Sequence, residues 1–206
     1  RLGTAFVCAL FAFMWGATGT LDFSGWGDIA HASAPAGLLF VLAMVGFGTK
    51  AGFMPLHVWL PEAHPAAPTH VSAVMSGVMI KTGIYGLVRM LQYMGPPEEW
   101  WGYALIAVGA ASGVLGVLYA LTQHGLKSLL AYHSVENIGI IALGLGMGVL
   151  GLASGSTAVA SLGFGGALLH VVNHAAFKGL LFLGAGAVIR SAGTGAIDKL
   201  GGLMKR

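Results

Sequence analysis

The chain has 206 residues, 56% of them hydrophobic, and 17 charged side chains, ten basic and seven acidic, which is 8% where a soluble domain carries roughly 25%. At a mean hydropathy of +0.82 too few polar residues remain to coat a water-facing exterior, so a soluble globular domain is excluded. The pI near 9.2 does not point to nucleic acid, because the basic residues are dispersed among apolar runs. The 34 glycines follow no three-residue period, which excludes collagen.

A membrane helix needs about 20 mostly apolar residues to cross a hydrocarbon core of about 30 Å. Six stretches meet that requirement: residues 2–20, 35–56, 71–94, 101–121, 128–150 and 158–189. The first superficially resembles a signal peptide, with Arg1 before an apolar core. With no initiator Met and five more spans, it reads instead as a truncated membrane helix. The chain is accordingly expected to be an internal piece of a longer protein, with residues 1–206 as one all-α polytopic membrane domain. Cys8 is the single cysteine, so neither an internal disulfide nor a cysteine-based metal site is expected. Turn chemistry marks the connections at 22–33, 61–70 with its three prolines, 95–97, 123–125 and 151–157.

Charge provides a check independent of hydropathy. With six alternating spans, one side receives Arg1, Lys127, Arg190, Lys199, Lys205 and Arg206. The other receives Asp22, Asp28, Glu98 and Glu99, with Arg89 its one nearby cation. The positive-inside rule then places the 61–70 connection and the C-terminal tail in the cytoplasm. Trp15, Trp26, Trp59, Trp100 and Trp101 fall near span ends, as an aromatic belt places them. Close helix contact is expected at Gly109/Gly113, Gly144/Gly148 and Gly184 with Val188.

Against this apolar background four ionisable residues lie inside spans: Lys50, Lys81, Glu136 and Lys178. Each costs about 2.5 to 3.5 kcal/mol near the bilayer centre, so each needs a reason. Lys81 lies midway along its span, too deep to snorkel. Lys178 ends the series His170, His174, Lys178, whose four-residue spacing keeps all three on one helix face over about 12 Å. Buried histidines and lysines can exchange protons at working pH; the same stripe could also serve only to hydrogen-bond neighbouring helices. Lys50 precedes Pro55, which should break the helix near residues 51–55 and free carbonyls beside the lysine. A broken helix carrying a charge is a transporter feature. Glu136, the one carboxylate in mid-span, is a counter-charge for one of the lysines or a purely structural partner.

The segment Lys50 to Arg89, KAGFMPLHVWLPEAHPAAPTHVSAVMSGVMIKTGIYGLVR, closely resembles the proton-translocating antiporter-like membrane subunits of respiratory complex I and of Mrp-type antiporters. The likeness continues through HGLKSLLAYHSVENIGIIALG and LLHVVNHAAFKGLLFLGAGAVIR. The form of His133-Ser134-Val135-Glu136-Asn137 departs from the usual complex I pattern and is similar to the membrane subunits of hydrogenase-4 and formate hydrogenlyase. The resemblance implies two inverted five-helix repeats, each holding a broken helix, with this piece supplying helices six to eleven. It also implies a proton path through Lys50, Lys81, His170, His174 and Lys178, to which the mid-span position of Glu136 adds that carboxylate. Pro55, His57, Glu62, His64 and His133 would form the helix break and inner mouth, while His31 and His124 read as ordinary loop residues.

The function expected is redox-driven proton translocation inside a hydrogenase-like or complex I-like assembly. Its partners would be other membrane and peripheral subunits and the lipid bilayer, with no nucleic acid. No flavin, iron–sulfur, nickel or other cofactor site is expected in this chain, so any oxidoreductase activity belongs to partner subunits. The alternatives are an Mrp-type cation/proton antiporter subunit, a scaffold whose buried charges only pack, and a histidine-ligated haem carrier, the last disfavoured by lysines on the same helices.

Overall fold

The computed structural model describes residues 2–26 and 35–202. Expectations that rest on Arg1, Asp28, His31, Lys205 and Arg206 therefore lie outside the described residues. Among the described residues the chain is all helical. The order is α1 (Leu2–Thr18), a 3₁₀ turn (Phe23–Trp26), α2 (Ala36–Ala51), α3 (Trp59–Ala66), α4 (Thr69–Val74), a π-helical turn (Met75–Met79), α5 (Ile80–Leu91), α6 (Glu99–Leu121), α7 (Leu126–Ala153) and α8 (Thr157–Ala192). The α4, π and α5 segments run on as one helix, Thr69–Leu91. This helix, α6, α7 and α8 are long and apolar enough to cross a membrane, and α1 and α2 are shorter apolar helices. Six apolar helices thus stand where six spans are expected.

α2 stops at Ala51, four residues before Pro55, because Gly52 adopts a left-handed conformation (φ +93°) and its N–H bonds back to Gly48 O. Residues 53–58 are non-helical, with a cis bond between Met54 and Pro55. Side chains pair two groups of the opened backbone: Trp59 Nε1 donates to Thr49 O at 2.8 Å, and Met54 N–H donates to Ser112 Oγ at 3.0 Å. The carbonyl freed beside Lys50 is therefore taken by an indole, since a buried carbonyl needs a donor and Trp59 reaches it first. The proline-rich 61–70 stretch, expected as a loop, is instead helix. It forms most of α3, a turn at Ala67-Pro68, and the start of α4. Prolines are tolerated there because α3 is short and Pro68 is the N-cap of α4.

α6 and α7 are antiparallel and meet through glycine. A Cβ at Gly139 would strike Gly113 N and Gly109 O, and one at Gly109 would strike Gly139 O and Leu143 N. α7 and α8 approach similarly at Gly144 and Gly148, against Gly163, Phe164 and Ala167. The expected Gly184 contact is absent, since nothing described lies within 4 Å of a Cβ built there. Two tryptophans also depart from an interfacial belt. Trp101 is fully buried, stacked on Phe40 (4.9 Å, 3°), and Trp26 is fully buried, its Nε1 donating to Thr20 O at 3.0 Å. Both have found apolar or hydrogen-bonded pockets inside the helix ends.

Candidate functional site

α8 brings His174 and Lys178 inward. Both are buried, at 0% and 1% exposure, and His170 on the same face is half-buried. The two imidazole rings lie almost parallel with centroids 6.2 Å apart. Lys178 Nζ donates to Leu130 O of α7 at 2.9 Å, and Ser134 Oγ donates to the same carbonyl at 2.9 Å. Ser134 Oγ is 2.8 Å from Ser76 Oγ, and the carbonyl of Ser76 accepts a hydrogen bond from Lys81 Nζ. Lys81 is 8% exposed. The two lysines, on different helices, thus stand at opposite ends of one hydrogen-bonded unit.

Local structure explains the meeting. The turn Met75–Met79 is π-helical, with Ile80 N–H bonded to Met75 O. Such a turn carries one extra residue and re-aims the helix beyond it, and here it presents Ser76 and Lys81 to α7 and α8. One turn further along α7, Asn137 Oδ1 accepts from His170 Nε2 at 3.0 Å while Asn137 Nδ2 donates to His133 O at 2.7 Å. His133 Nδ1 lies 2.5 Å from Glu136 Oε2. Glu136 is therefore held by a histidine of its own helix, not by a lysine, because the three-residue helical spacing places that imidazole beside the carboxylate. It still lies within range of the Lys178 charge, and Lys81 and Lys178 lie within range of each other.

The remaining expected residues are spread around this unit. Lys50 is exposed at the rim of a cavity of about 400 Å³ lined by Gly3, Thr4, Val7, Phe47, Thr49 and Trp59. Pro55 and Glu62 are exposed, and His57 is half-buried, its ring 6.1 Å from that of Tyr132. His64 is fully buried and stacks on Phe182 of α8 at 4.6 Å. His124 pairs with Asp198 at 2.8 Å on the surface. Among the described residues, neither ring nitrogen of His64 or of His174 has a hydrogen-bond partner.

Four polar residues here were not among the expected site residues: Ser76, Ser134, Asn137 and Lys127, the last read only as a charge that sets sidedness. Lys127 Nζ donates to Ala67 O at 2.7 Å and ties the start of α7 to the α3–α4 turn. Serine and asparagine cost little in a membrane helix and carry no charge, so composition does not flag them. Their sequence signals are position inside the spans that carry Lys81 and Glu136 and, for Ser134 and Asn137, the motif His133 to Asn137.

The family model for the NADH:quinone oxidoreductase/Mrp antiporter transmembrane region matches residues 1–206. The chain belongs to this family. It is 48% identical to hydrogenase-4 component B of Escherichia coli (strain K12), over 99% of this chain and 31% of that protein. It is 42% identical to formate hydrogenlyase subunit 3 of the same strain, over 100% of this chain and 34% of that protein. The chain thus spans about a third of the length of these curated relatives. Among solved structures it is similar to a chain of the Mrp complex from Dietzia sp. DQ12-45-1b (TM-score 0.75, 25% identity, 91% of this chain and 33% of that one). It is also similar to a chain of the membrane-bound sulfane sulfur reductase, an archaeal respiratory membrane complex (TM-score 0.75, 31% identity, 93% of this chain and 32% of that one). As a member of this antiporter-like family with apolar helices throughout, it is a multi-pass membrane protein related to hydrogenase-4, formate hydrogenlyase and complex I subunits.

Proposed function

We propose that this chain carries protons within a redox-driven membrane complex of the hydrogenase-4 or formate hydrogenlyase kind. The observation that carries the reading is the pair Lys81 and Lys178, two buried amines bound to carbonyls at the ends of a common hydrogen-bonded unit. A structural ion pair would give each lysine a carboxylate. These ammonium groups have neutral acceptors instead, so each can release its proton without leaving a counter-charge stranded. Lys50 on its cavity rim is the entry group: a charge shift in a neighbouring redox module changes its hold on a proton, which passes to Lys81, then to Lys178, with His174, His170 and Glu136 continuing the route. His57, His64 and Glu62 flank the mouth at the Lys127 end, which the positive-inside rule makes cytoplasmic. The complex lies in the cell membrane, and its other subunits hold the redox centres.

The test replaces Lys81 or Lys178 by Ala in the full-length protein within its complex, with proton flux and electron transfer measured together. Flux is expected to fall by about a hundredfold or more, the contribution of a positioned proton-transfer group, with electron transfer retained or uncoupled. Unchanged flux would sink the reading. The likeness to the Mrp complex and to a probable K(+)/H(+) antiporter component of Rhizobium meliloti (39% identity) favours a second reading, a cation/proton antiporter subunit without a redox partner. Copurifying proteins separate the two: hydrogenase-like subunits support the first, small Mrp-like membrane subunits the second.

A further inference from the structure

Ser76 and Ser134 are both fully buried and belong to different elements, the π turn and α7. A serine hydroxyl has one proton to donate. Ser134 gives its proton to Leu130 O at 2.9 Å, so across the 2.8 Å contact Ser76 is the donor and Ser134 the acceptor. Each serine stands beside the anchor of one lysine. The Ser76 carbonyl holds Lys81 Nζ, and Ser134 shares the Leu130 carbonyl with Lys178 Nζ. We propose that Ser76 and Ser134 are paired positioning residues whose hydroxyl–hydroxyl bond clamps the π turn to α7 and sets the separation of Lys81 and Lys178. This inference rests on the proton-carrying reading above.

The clamp is needed because its surroundings oppose it. The π turn is five residues long, between α4 of six residues and α5 of twelve, and its hydrogen-bond pattern is the rarer one. Relaxing it to α-helical bonding rotates Lys81 relative to Ser76 and away from Leu168, Val171 and Ala175 of α8, with which it lines a cavity. The two ammonium groups also repel across the gap. Towards α8 the π turn packs through glycine, with the Gly77 Cβ position 3.3 Å from Ala175 O. The serine bond is the one directional link among the described residues that joins the turn to α7, and it converts a movement of one lysine into a force on the other.

The experiment uses the full-length protein in its assembled complex, with Ser76→Ala, Ser134→Ala, the double variant, and Ser→Thr at each position. Lys81→Ala and Lys178→Ala run alongside. Proton flux is read at matched electron-transfer rate, together with the amount of assembled complex. Each single alanine variant is expected to lower flux about tenfold, as loss of one buried hydrogen bond does to a rate. The double variant is expected to be no worse than either single, and threonine, which keeps the hydroxyl, to restore flux at one position or both. Flux within about twofold of the parent in the alanine variants overturns the clamp, since so small a change falls short of one hydrogen bond. So do single effects that multiply in the double, or flux lost equally with threonine at both positions. In each of these cases the lysine variants still report on the proton reading separately: if they too leave flux intact, that reading falls and the clamp falls with it. Where an alanine variant does not assemble, Ser→Cys at that position, which keeps volume and weakens the bond, is read in the same way.

Discussion

Lys81 and Lys178 are bound by main-chain oxygens from helices, and this sets them apart from the salt bridges that usually accompany buried charge. A carbonyl offers a dipole, which lowers the cost of an ammonium in the membrane without fixing its proton as a carboxylate does. The protein therefore keeps two costly groups that an apolar side chain could replace. Lys178→Met keeps volume and removes that cost. The variant is expected to assemble and to melt no lower than the parent in detergent, while proton flux is lost. A melting temperature many degrees lower would make Lys178 a structural group. At the other end of the polar face, Asn137 bridges His170 to the His133 carbonyl. Asn137→Leu removes both bonds and leaves His170 Nε2 without its acceptor, a loss of about 1 to 3 kcal/mol. The measurement is thermal unfolding of the assembled subunit; no change in unfolding would show that His170 finds an equivalent partner.

Among elements, the interruption after α2 and the π turn before α5 do complementary work. The first ends a helix beside Lys50, and the second re-aims a helix at Ser76 and Lys81. Both are sealed by side chains: Trp59 on Thr49 O, and Ser134 on Ser76. Trp59→Phe keeps an aromatic ring and removes the donor, so a half-buried carbonyl at the break loses its partner. A destabilisation of about 1 to 2 kcal/mol is expected, read as a lower melting temperature, and no shift would mean that another donor closes the break. Helix pairing rests on glycine instead. At Gly139, α6 and α7 backbones approach so closely that any Cβ meets main chain. Gly139→Leu is expected to separate the helices and to cost about 1 to 3 kcal/mol or more, seen as reduced assembled complex. Gly184→Leu, on a face open among the described residues, is expected to leave assembly unchanged.

Across the molecule the charges other than Lys50, Lys81, Glu136 and Lys178 sort to two ends. Asp22, Glu98, Glu99 and Arg89 gather at one end, where the Arg89 guanidinium lies over the rings of Phe23 and Tyr93 at 5.6 and 5.1 Å. Lys127, His124, Asp198, Arg190 and Lys199 gather at the other, where Gly125 and Ala196 form a short bridge joining the α6–α7 turn to the segment after α8. Between the ends the outward residues are mostly apolar, Leu162, Val172 and Leu180 among them, as a surface facing lipid or other membrane helices requires, with Lys50 and Asn173 as exposed polar exceptions. α8, at 36 residues, is about 54 Å long at 1.5 Å per residue and overruns a hydrocarbon core of about 30 Å, so it tilts or projects. Single cysteines placed at Glu98 and Lys199 in an otherwise cysteine-free background that includes Cys8→Ser are expected to react with a membrane-impermeant thiol reagent from opposite sides of the membrane. Labelling of both from one side would contradict the alternation of spans.

Hydropathy and charge by themselves determined that this is an all-helical membrane chain with about six apolar helices, and three motifs were enough to place it among antiporter-like subunits. That much is legible because burial in lipid is a property of each residue summed along a window, and because a charge inside such a window stands out. Tertiary structure alone decided which polar groups meet. Glu136 turned to His133, not to a lysine; the proline-rich stretch became helix; His64 was drawn onto Phe182. Lys81 and Lys178 were joined through Ser76, Ser134 and the Leu130 carbonyl. Hydrogen bonds of about 3 Å between residues some fifty positions apart depend on helix packing and on one π turn, and neither leaves a periodic trace in the order of amino acids.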